Sequence, residues 1–238
     1  DQHLGRRTFP SREVPRRGEG HPLRAMDKLL RIAETLEALY GAPEWPGPRD
    51  PLEVLVRTVL SQNTNDRNSG RAYRNLRERF PTWEKVLGAP TEEVAEAIKV
   101  GGLSGLKAER IKEVLRWTKE RFGGFFLPVC DMEVREAMEL LCGLKGVGVK
   151  TASVVLLFAC GKEVFPVDTH IHRVSERLGL IPRRTSLEEA HRLLGELVPE
   201  GMAYPLHLNL IRFGREICHA LRPECGRCPL KEECVWKA

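Results

Sequence analysis

The strongest chemical signal in the sequence is a lysine placed at the start of a helix. Gly146-Val147-Gly148 forms a short turn, and an apolar run of helical composition follows it from Lys150. Glycines let such a turn take positive φ and approach a ligand, and the following helix offers unpaired N–H groups and a positive dipole end. This arrangement predicts an anion-binding site, most simply for a phosphate. Because the same field lowers an ammonium pKa, Lys150 is a candidate nucleophile, although a lysine taken alone is more often a surface residue.

A carboxylate lies further along the chain, at the start of another predicted helix. Asp168 precedes a helix predicted to begin at Thr169, and aspartate is a preferred N-cap residue. A carboxylate near an amine can also accept its proton or stabilise developing positive charge, and the two roles are compatible. His170 and His172 lack the companions of a metal site, so we expect packing or phosphate contacts from them.

Four of the seven cysteines are crowded near the C-terminus and predict a metal site. Their spacing is C-x6-C-x2-C-x5-C, formed by Cys218, Cys225, Cys228 and Cys234. Core packing does not explain four thiols in one short loop. Tetrahedral zinc is one alternative, but zinc sites usually contain two close cysteine pairs and this loop has one. Cys142 and Cys160 lie in apolar helical segments and are interpreted as core residues, whereas Cys130 has no assignment.

The charge balance permits a polyanionic partner without requiring one. The 238-residue chain carries a formal net charge of +5, and residues 1–24 hold six arginines. That stretch, rich in Arg, Pro and Gly, predicts a disordered basic arm, or else a solvated tail without a role. There is no apolar run of about 18 residues and no secretory h-region, so we expect a cytoplasmic protein, nucleoid-associated if bacterial, with no membrane contact. An odd count of seven cysteines, with four of them crowded near the C-terminus, suits a metal site in a reducing compartment better than a disulfide framework.

Helical periodicity dominates the rest of the chain, and strand-like alternation is scarce. Helices are predicted near residues 25–40, 51–60, 66–80, 83–87, 91–100, 106–122, 133–142, 150–160, from 169, 186–198 and 204–219. The prolines at 43, 46 and 48 predict a stiff connector between two lobes. The fold class predicted from these patterns is all-α.

Together these residues resemble the endonuclease III family of helix-hairpin-helix/Gly-Pro-Asp DNA glycosylases. The likeness is carried by Leu144–Ala152, by Val167–His170 and by the C-terminal cysteine pattern, and it covers about residues 25–237. It implies a two-lobed helix-hairpin-helix DNA glycosylase fold with a C-terminal iron-sulfur loop. The implied lobes are a helical barrel lobe at 44–162, which contains the hairpin, and an iron-sulfur cluster lobe built from 25–43 and 163–238. DNA would lie in the cleft between them.

The resemblance also implies a chemistry for these residues. In the family the lysine attacks a damaged nucleotide and the aspartate assists it, and these roles carry over to Lys150 and Asp168. The cysteine spacing is similar to that of the family, which favours a [4Fe-4S] cluster with a structural role over zinc. The implied activity is that of a bifunctional DNA glycosylase/AP lyase in base excision repair. Such an enzyme removes oxidised pyrimidines from duplex DNA through a lysine Schiff base and β-elimination.

The same resemblance indicates where double-stranded DNA is contacted. The loops at 61–65 and 101–105 are expected to fill the gap left by a flipped nucleotide, with Asn63 or its neighbour Gln62 as a polar plug and Leu103 as an apolar wedge. The alternatives are a helix cap for the two amides and inward packing for the leucine. Further DNA contacts are expected from Gly146, Gly148, Val149, His170, Arg173, Arg222 and Arg227.

Two other functions are compatible with parts of the pattern. A monofunctional mismatch glycosylase of the same fold would use water in place of Lys150, and a non-catalytic iron-sulfur DNA-binding protein would not need Lys150 and Asp168 together. The positions that depart from residues common in the family are Asn63, Ser104, Lys145 and Val149. They leave the lesion preference open. A monomer acting on damaged duplex DNA is the expected form.

Overall fold

The structure is a computed structural model that describes residues 22–236, and within this range it contains helices and turns but no strand. The predicted all-α class is confirmed. The α-helices are α1 (Pro22–Tyr40), α2 (Pro51–Ser61), α3 (Asp66–Arg79), α4 (Trp83–Gly88), α5 (Thr91–Ala97), α6 (Ser104–Phe122), α7 (Val134–Cys142), α8 (Val149–Cys160), α9 (Thr169–Leu178), α10 (Leu187–Leu197) and α11 (Ala203–Glu216). Short 3-10 turns lie at Lys99–Gly101, Pro128–Cys130 and Cys225–Arg227. None of the helices in the described range is long and apolar enough to cross a bilayer.

Most of the predicted basic arm, residues 1–21, lies outside the described residues. Helix α1 begins at Pro22, slightly before the expected start at Ala25. Local signals explain other helix ends. The Asp50 side chain accepts a hydrogen bond from the Leu52 amide at 2.9 Å, and Pro51 occupies the first helical position, so α2 begins where the sequence predicts.

The first hydrophobic core lies among α2 to α8. Its centre includes Leu55, Leu60, Ile111, Leu115 and Leu156, all of them inaccessible to solvent. Helix α2 packs along α8, and α5 packs along α6. Full burial of each of these leucines and isoleucines contributes about 1.5–3 kcal/mol. Helix α8, whose first turn carries Lys150, is therefore fixed by its packing against α2.

The second hydrophobic core joins the two ends of the described chain. It contains Ile32 and Leu36 of α1 together with Ile171, Leu210 and Phe213 from α9 and α11. Helix α8 contributes to both cores, because Leu156 belongs to the first and Leu157 to the second. These two cores support the proposed division into a lobe at 44–162 and a lobe built from 25–43 and 163–238.

A disulfide between Cys130 and Cys160 ties the 3-10 turn at 128–130 to the last residue of α8. Cys160 packs against the first core, as expected, but its sulfur is bonded to that of Cys130, which thereby gains an assignment. The two cysteines are separated by 30 positions, so the bond closes a loop that contains α7, the hairpin turn and α8. Cys142 packs against the first core, as expected.

Candidate active site

Helices α7 and α8 form a helix-hairpin-helix around the turn at residues 143–148. Gly146 takes a φ of +81°, a backbone conformation that glycine adopts without steric cost. Gly148 is the N-cap of α8 and, having no side chain, leaves the first N–H groups of the helix without a side-chain partner. The turn therefore presents unpaired N–H groups and the positive end of a helix dipole, which is the arrangement that favours an anion.

Lys150 lies in the first turn of α8 and is half-buried. Burial lowers the pKa of its ammonium, while the carboxylates of Asp168 and Asp66 act in the opposite direction. The pKa remains below that of an exposed lysine, so a larger fraction of Lys150 is neutral amine at a given pH. A neutral amine has the free electron pair that nucleophilic attack requires.

Asp168 is the N-cap of α9, as the sequence predicts. Its Oδ1 accepts a hydrogen bond from the Ile171 amide at 2.8 Å. The same carboxylate raises the pKa of Lys150 against the effect of burial, so its charge reaches the amine. One residue therefore both fixes the start of α9 and supplies a carboxylate whose charge acts on the candidate nucleophile.

Two histidines hold the backbone that leads to Asp168. The Val167 amide donates to Nε2 of His191 at 3.1 Å, while Nδ1 of His191 bonds the Leu187 carbonyl at 2.8 Å. His207 bonds the Pro166 carbonyl through Nδ1 at 2.9 Å. Burial lowers the pKa of both rings, to about 4 for His207. The rings are therefore neutral near pH 7, with the proton on Nδ1, and they fix the position of the chain immediately before the carboxylate.

An ion pair joins a helix of the first core to a helix of the second. Nη1 and Nη2 of Arg215 on α11 donate to the two carboxylate oxygens of Asp66 at the start of α3, at 2.6 and 3.3 Å. Asp66 is also close enough to Lys150 to raise its pKa. Two parallel hydrogen bonds between a guanidinium and a carboxylate are a favourable geometry for a surface ion pair, although the exposure of both side chains limits its contribution to stability.

The two loops expected to enter DNA differ in how their side chains are held. Leu103 is 55% exposed and takes a φ of +49°, which is strained for a bulky residue. Asn63 is exposed with a φ of +53°, whereas Gln62 is half-buried and accepts a hydrogen bond from Arg110 at 2.6 Å. Leu103 does not pack inward, and strain at an exposed leucine is typical of functional positions. Insertion of these side chains into DNA stays a prediction.

The other expected DNA contacts fall into two groups. Arg173 donates to the carbonyls of Cys218 and Gly214 at 2.8–3.1 Å and to Nδ1 of His170 at 3.2 Å, so both side chains take part in contacts within the protein. Arg222 and Arg227 are exposed on the cysteine loop, where Arg227 bonds Glu224 and the Glu216 carbonyl. Arg222 has a φ of +53°. The structure assigns Arg173 an internal structural role, and its contact with DNA remains a prediction like the others.

The four C-terminal cysteines line one recess, together with Arg177 and Trp236. None of the four is in a disulfide. Within residues 22–236, no three His, Cys, Asp or Glu side chains are already arranged to hold a metal ion. Burial raises the pKa of the Cys228 thiol, and the other three cysteines of the recess act in the same direction. Four thiols lining one recess fit a four-thiolate ligand set and leave the choice between zinc and an iron-sulfur cluster to their spacing in the sequence.

Sequence patterns miss several residues of this site. Asp66 and Arg215 are far apart in the chain, and nothing local pairs them. His191 and His207 are histidines among apolar helical neighbours, a hint of burial that does not reveal their backbone partners. Arg110 on α6 sits beside Gly146, where a methyl group built on the glycine would lie 2.9 Å from Nε of the arginine. All of these contacts depend on how helices pack.

Known proteins resemble this chain in both sequence and fold. The model of the HhH-GPD superfamily of base excision DNA repair proteins matches residues 56–200. Endonuclease III of Thermotoga maritima is 40% identical over 185 residues, which cover 78% of this chain and 83% of that protein. The solved structure of a trapped covalent intermediate of endonuclease III with DNA matches with a TM-score of 0.76 at 30% identity, covering 88% of this chain and 95% of that one.

A solved thermostable thymine-DNA glycosylase also matches, with a TM-score of 0.73 at 26% identity over 88% of this chain and 96% of that chain. The helix-hairpin-helix glycosylase fold and the family resemblance predicted from the sequence are confirmed. Since the family model matches more than half of the chain and the Thermotoga enzyme is similar over most of both lengths, the chain belongs to the endonuclease III family within the HhH-GPD superfamily of base excision DNA repair proteins.

Proposed function

We propose that the chain removes oxidised pyrimidines from duplex DNA, with Lys150 as its nucleophile and Asp168 as the residue that accepts the lysine's proton. Membership of the endonuclease III family makes it a base excision repair enzyme, a DNA glycosylase with associated AP lyase activity. One observation supports the residue assignment above all. A half-buried lysine with a lowered pKa lies within the electrostatic reach of the Asp168 carboxylate, at the end of a hairpin suited to hold a phosphate.

The chemistry follows from an amine placed next to an electrophilic sugar. Nζ of Lys150 bonds to C1′ as the bond from C1′ to the base breaks, and that electron pair leaves with the base. Asp168 takes a proton from the nitrogen, and ring opening gives an imine. The imine acidifies C2′, so loss of a C2′ proton and of the 3′ phosphate cuts the strand by β-elimination. The solved endonuclease III structure is that of a trapped covalent intermediate with DNA, which supports a covalent route for this chain.

Double-stranded DNA is the proposed partner of the cleft between the lobes. The hairpin would hold a backbone phosphate while the target nucleotide is flipped out towards Lys150, and Asn63 and Leu103 would occupy the space left in the stack. The nucleotide must leave the stack because C1′ is otherwise shielded by its neighbours. We propose that a single chain is sufficient, since Lys150, Asp168 and both loops belong to one protomer.

The cysteine recess would hold a [4Fe-4S] cluster through Cys218, Cys225, Cys228 and Cys234. When bound, such a cluster supplies a four-point anchor for the loop. Arg177 supports the same loop, since it donates to Sγ of Cys218 at 3.4 Å and to the His219 carbonyl at 2.6 Å. With the loop anchored, Arg222 and Arg227 would be presented to DNA phosphates.

A panel of duplexes tests both the substrate class and the reaction type. It contains an oxidised pyrimidine, an oxidised purine, a G·T mismatch and a preformed abasic site, and strand cuts are measured before and after alkali. We expect cuts without alkali at the oxidised pyrimidine and the abasic site, and none from Lys150→Gln. Base removal that yields a cut only after alkali would indicate the monofunctional alternative. Preferred excision of the purine or of the mismatched thymine would refute the substrate class.

A further inference from the structure

One arginine touches two of the surfaces that the proposed function places on DNA. Arg110, half-buried on α6, donates from Nη1 to Oε1 of Gln62 at 2.6 Å. Its Nε lies 2.9 Å from where a methyl group on Gly146 would be. The guanidinium therefore fills the space between the 61–65 loop and the hairpin turn. A hydrogen bond from a charged donor at this distance is among the stronger side-chain contacts.

A second cation of α6 holds the base of the same loop. Lys107 is 1% exposed, and its ammonium donates to the carbonyls of Leu60 and Gly101, both at 2.8 Å. Leu60 immediately precedes the 61–65 loop, and Gly101 begins the 101–105 loop that carries Leu103. A buried ammonium is stable only when its donors are used, so these two loop ends are fixed to α6. Helix α6 is thus the common support of both loops and of the hairpin turn.

This arrangement separates the roles of two neighbouring amides. The side chain of Gln62 is turned inwards to Arg110, whereas Asn63 is exposed in a left-handed backbone conformation. Asparagine tolerates that conformation better than most residues. Gln62 is therefore engaged in supporting the loop, and Asn63 is the amide left to face the stack.

We propose that Arg110 is a positioning residue that couples the hairpin turn to the 61–65 loop through Gln62. Phosphate binding by the hairpin and insertion of Asn63 into the stack are thereby linked. This inference rests on the proposed function, because it concerns how that reaction selects nucleotides from a paired stack. Without the link the loop would be free to move, and the flipped-out state of a stable pair would lose its support. A nucleotide that is already unpaired or a preformed abasic site needs less of that support.

The test is a double-mutant cycle on the full-length protein with Arg110→Met, Gln62→Met and the double variant. Arg116→Met is the matched control, because it removes an exposed arginine from the same helix. Single-turnover rates are measured for an oxidised pyrimidine in a stable pair and for strand cutting at an abasic site. Gln62 lies in a loop outside both cores, so its variant folds even if Arg110→Met does not.

We expect Arg110→Met and Gln62→Met each to slow excision from the stable pair by about tenfold, the order of one charge-assisted hydrogen bond. Cutting at the abasic site should slow far less. The double variant should be no slower than either single variant, since both remove the same link. Arg110→Lys should recover part of the loss. Fluorescence of 2-aminopurine opposite the lesion should report slower insertion in the same variants.

Three outcomes would overturn the coupling. The first is additive losses in the double variant, and the second is equal slowing on both substrates. The third is weaker DNA affinity with an unchanged ratio of the two rates, which would make Arg110 a phosphate contact alone. Failure of the proposed function looks different: the wild-type protein would then not excise the oxidised pyrimidine, or would release it without a strand cut before alkali. An active wild type with Arg110→Met equal to Arg116→Met refutes the coupling and leaves the proposed function intact.

Discussion

Replacement of Asp168 by asparagine separates the two roles that the structure gives this residue. Oδ1 of Asp168 caps α9 by accepting from the Ile171 amide at 2.8 Å, and an asparagine oxygen can accept the same bond. Asparagine and aspartate are about equal as N-caps, so Asp168→Asn should lower the free energy of unfolding by only about a few tenths of a kcal/mol. Asp168→Ala removes the cap, which costs about 1 kcal/mol and lowers the melting temperature by about 2–4 °C in a chain of this size.

Asp168→Asn should change the catalytic rate much more than it changes stability. An amide cannot accept the proton of Lys150, so Asp168→Asn should lose about 100-fold or more in the rate of base excision. The carboxylate also raises the pKa of Lys150 against the lowering effect of burial. Removing it lets that pKa fall further, so neutral amine persists to lower pH. The acid limb of the residual activity should therefore move to lower pH than in the wild type.

The assay is single-turnover excision over a pH series at saturating protein, with thermal unfolding of each variant beside it. Asp50→Asn is the matched control, because Asp50 caps α2 through the same kind of bond, at 2.9 Å to the Leu52 amide. We expect the control to keep both rate and pH profile. Normal turnover of Asp168→Asn with an unmoved acid limb would leave the residue only its capping role and refute the reasoning.

The remaining predictions concern the hairpin, the disulfide and the wedge. Gly146→Ala should weaken DNA binding by about tenfold in fluorescence anisotropy, because φ is +81° and the new methyl meets Arg110; unchanged affinity would contradict this. Cys130→Ser should lower the free energy of unfolding by about 3.5 kcal/mol and the melting temperature by about 7–14 °C, because the disulfide to Cys160 closes a loop of 30 residues. A calorimetric transition at the wild-type temperature would contradict this prediction. Leu103→Ala should slow excision from a stable pair more than from a mismatch, and equal slowing on both would point to folding or chemistry instead.

Sequence reasoning succeeds here wherever the signal is local. The glycines before Lys150 and the polar residue before Thr169 determine how α8 and α9 begin, since turns and caps involve only near neighbours. The cap of α9 by Asp168 and the helical class of the chain could be predicted for that reason. The cysteine spacing likewise brings four thiols to one recess.

The contacts that sequence reasoning misses join distant segments. Cys160 looks like a core residue of an apolar helix, and its disulfide depends on the fold bringing the 128–130 turn to the end of α8. Lys107 resembles any helical surface lysine, yet packing of α6 against α2 buries it on two carbonyls. The Asp66–Arg215 pair joins residues separated by 149 positions. Periodicity and propensity carry no information about such partners.

Borohydride trapping followed by peptide mapping tests the assignment of the nucleophile most directly. Wild-type protein is incubated with duplex DNA that carries an oxidised pyrimidine, the imine is reduced, and the crosslinked peptide is sequenced. We expect the nucleotide on the peptide that contains Lys150, and no crosslink from Lys150→Gln even though this variant still binds the duplex. A crosslink that maps to another lysine, or one that persists in Lys150→Gln, would contradict the assignment.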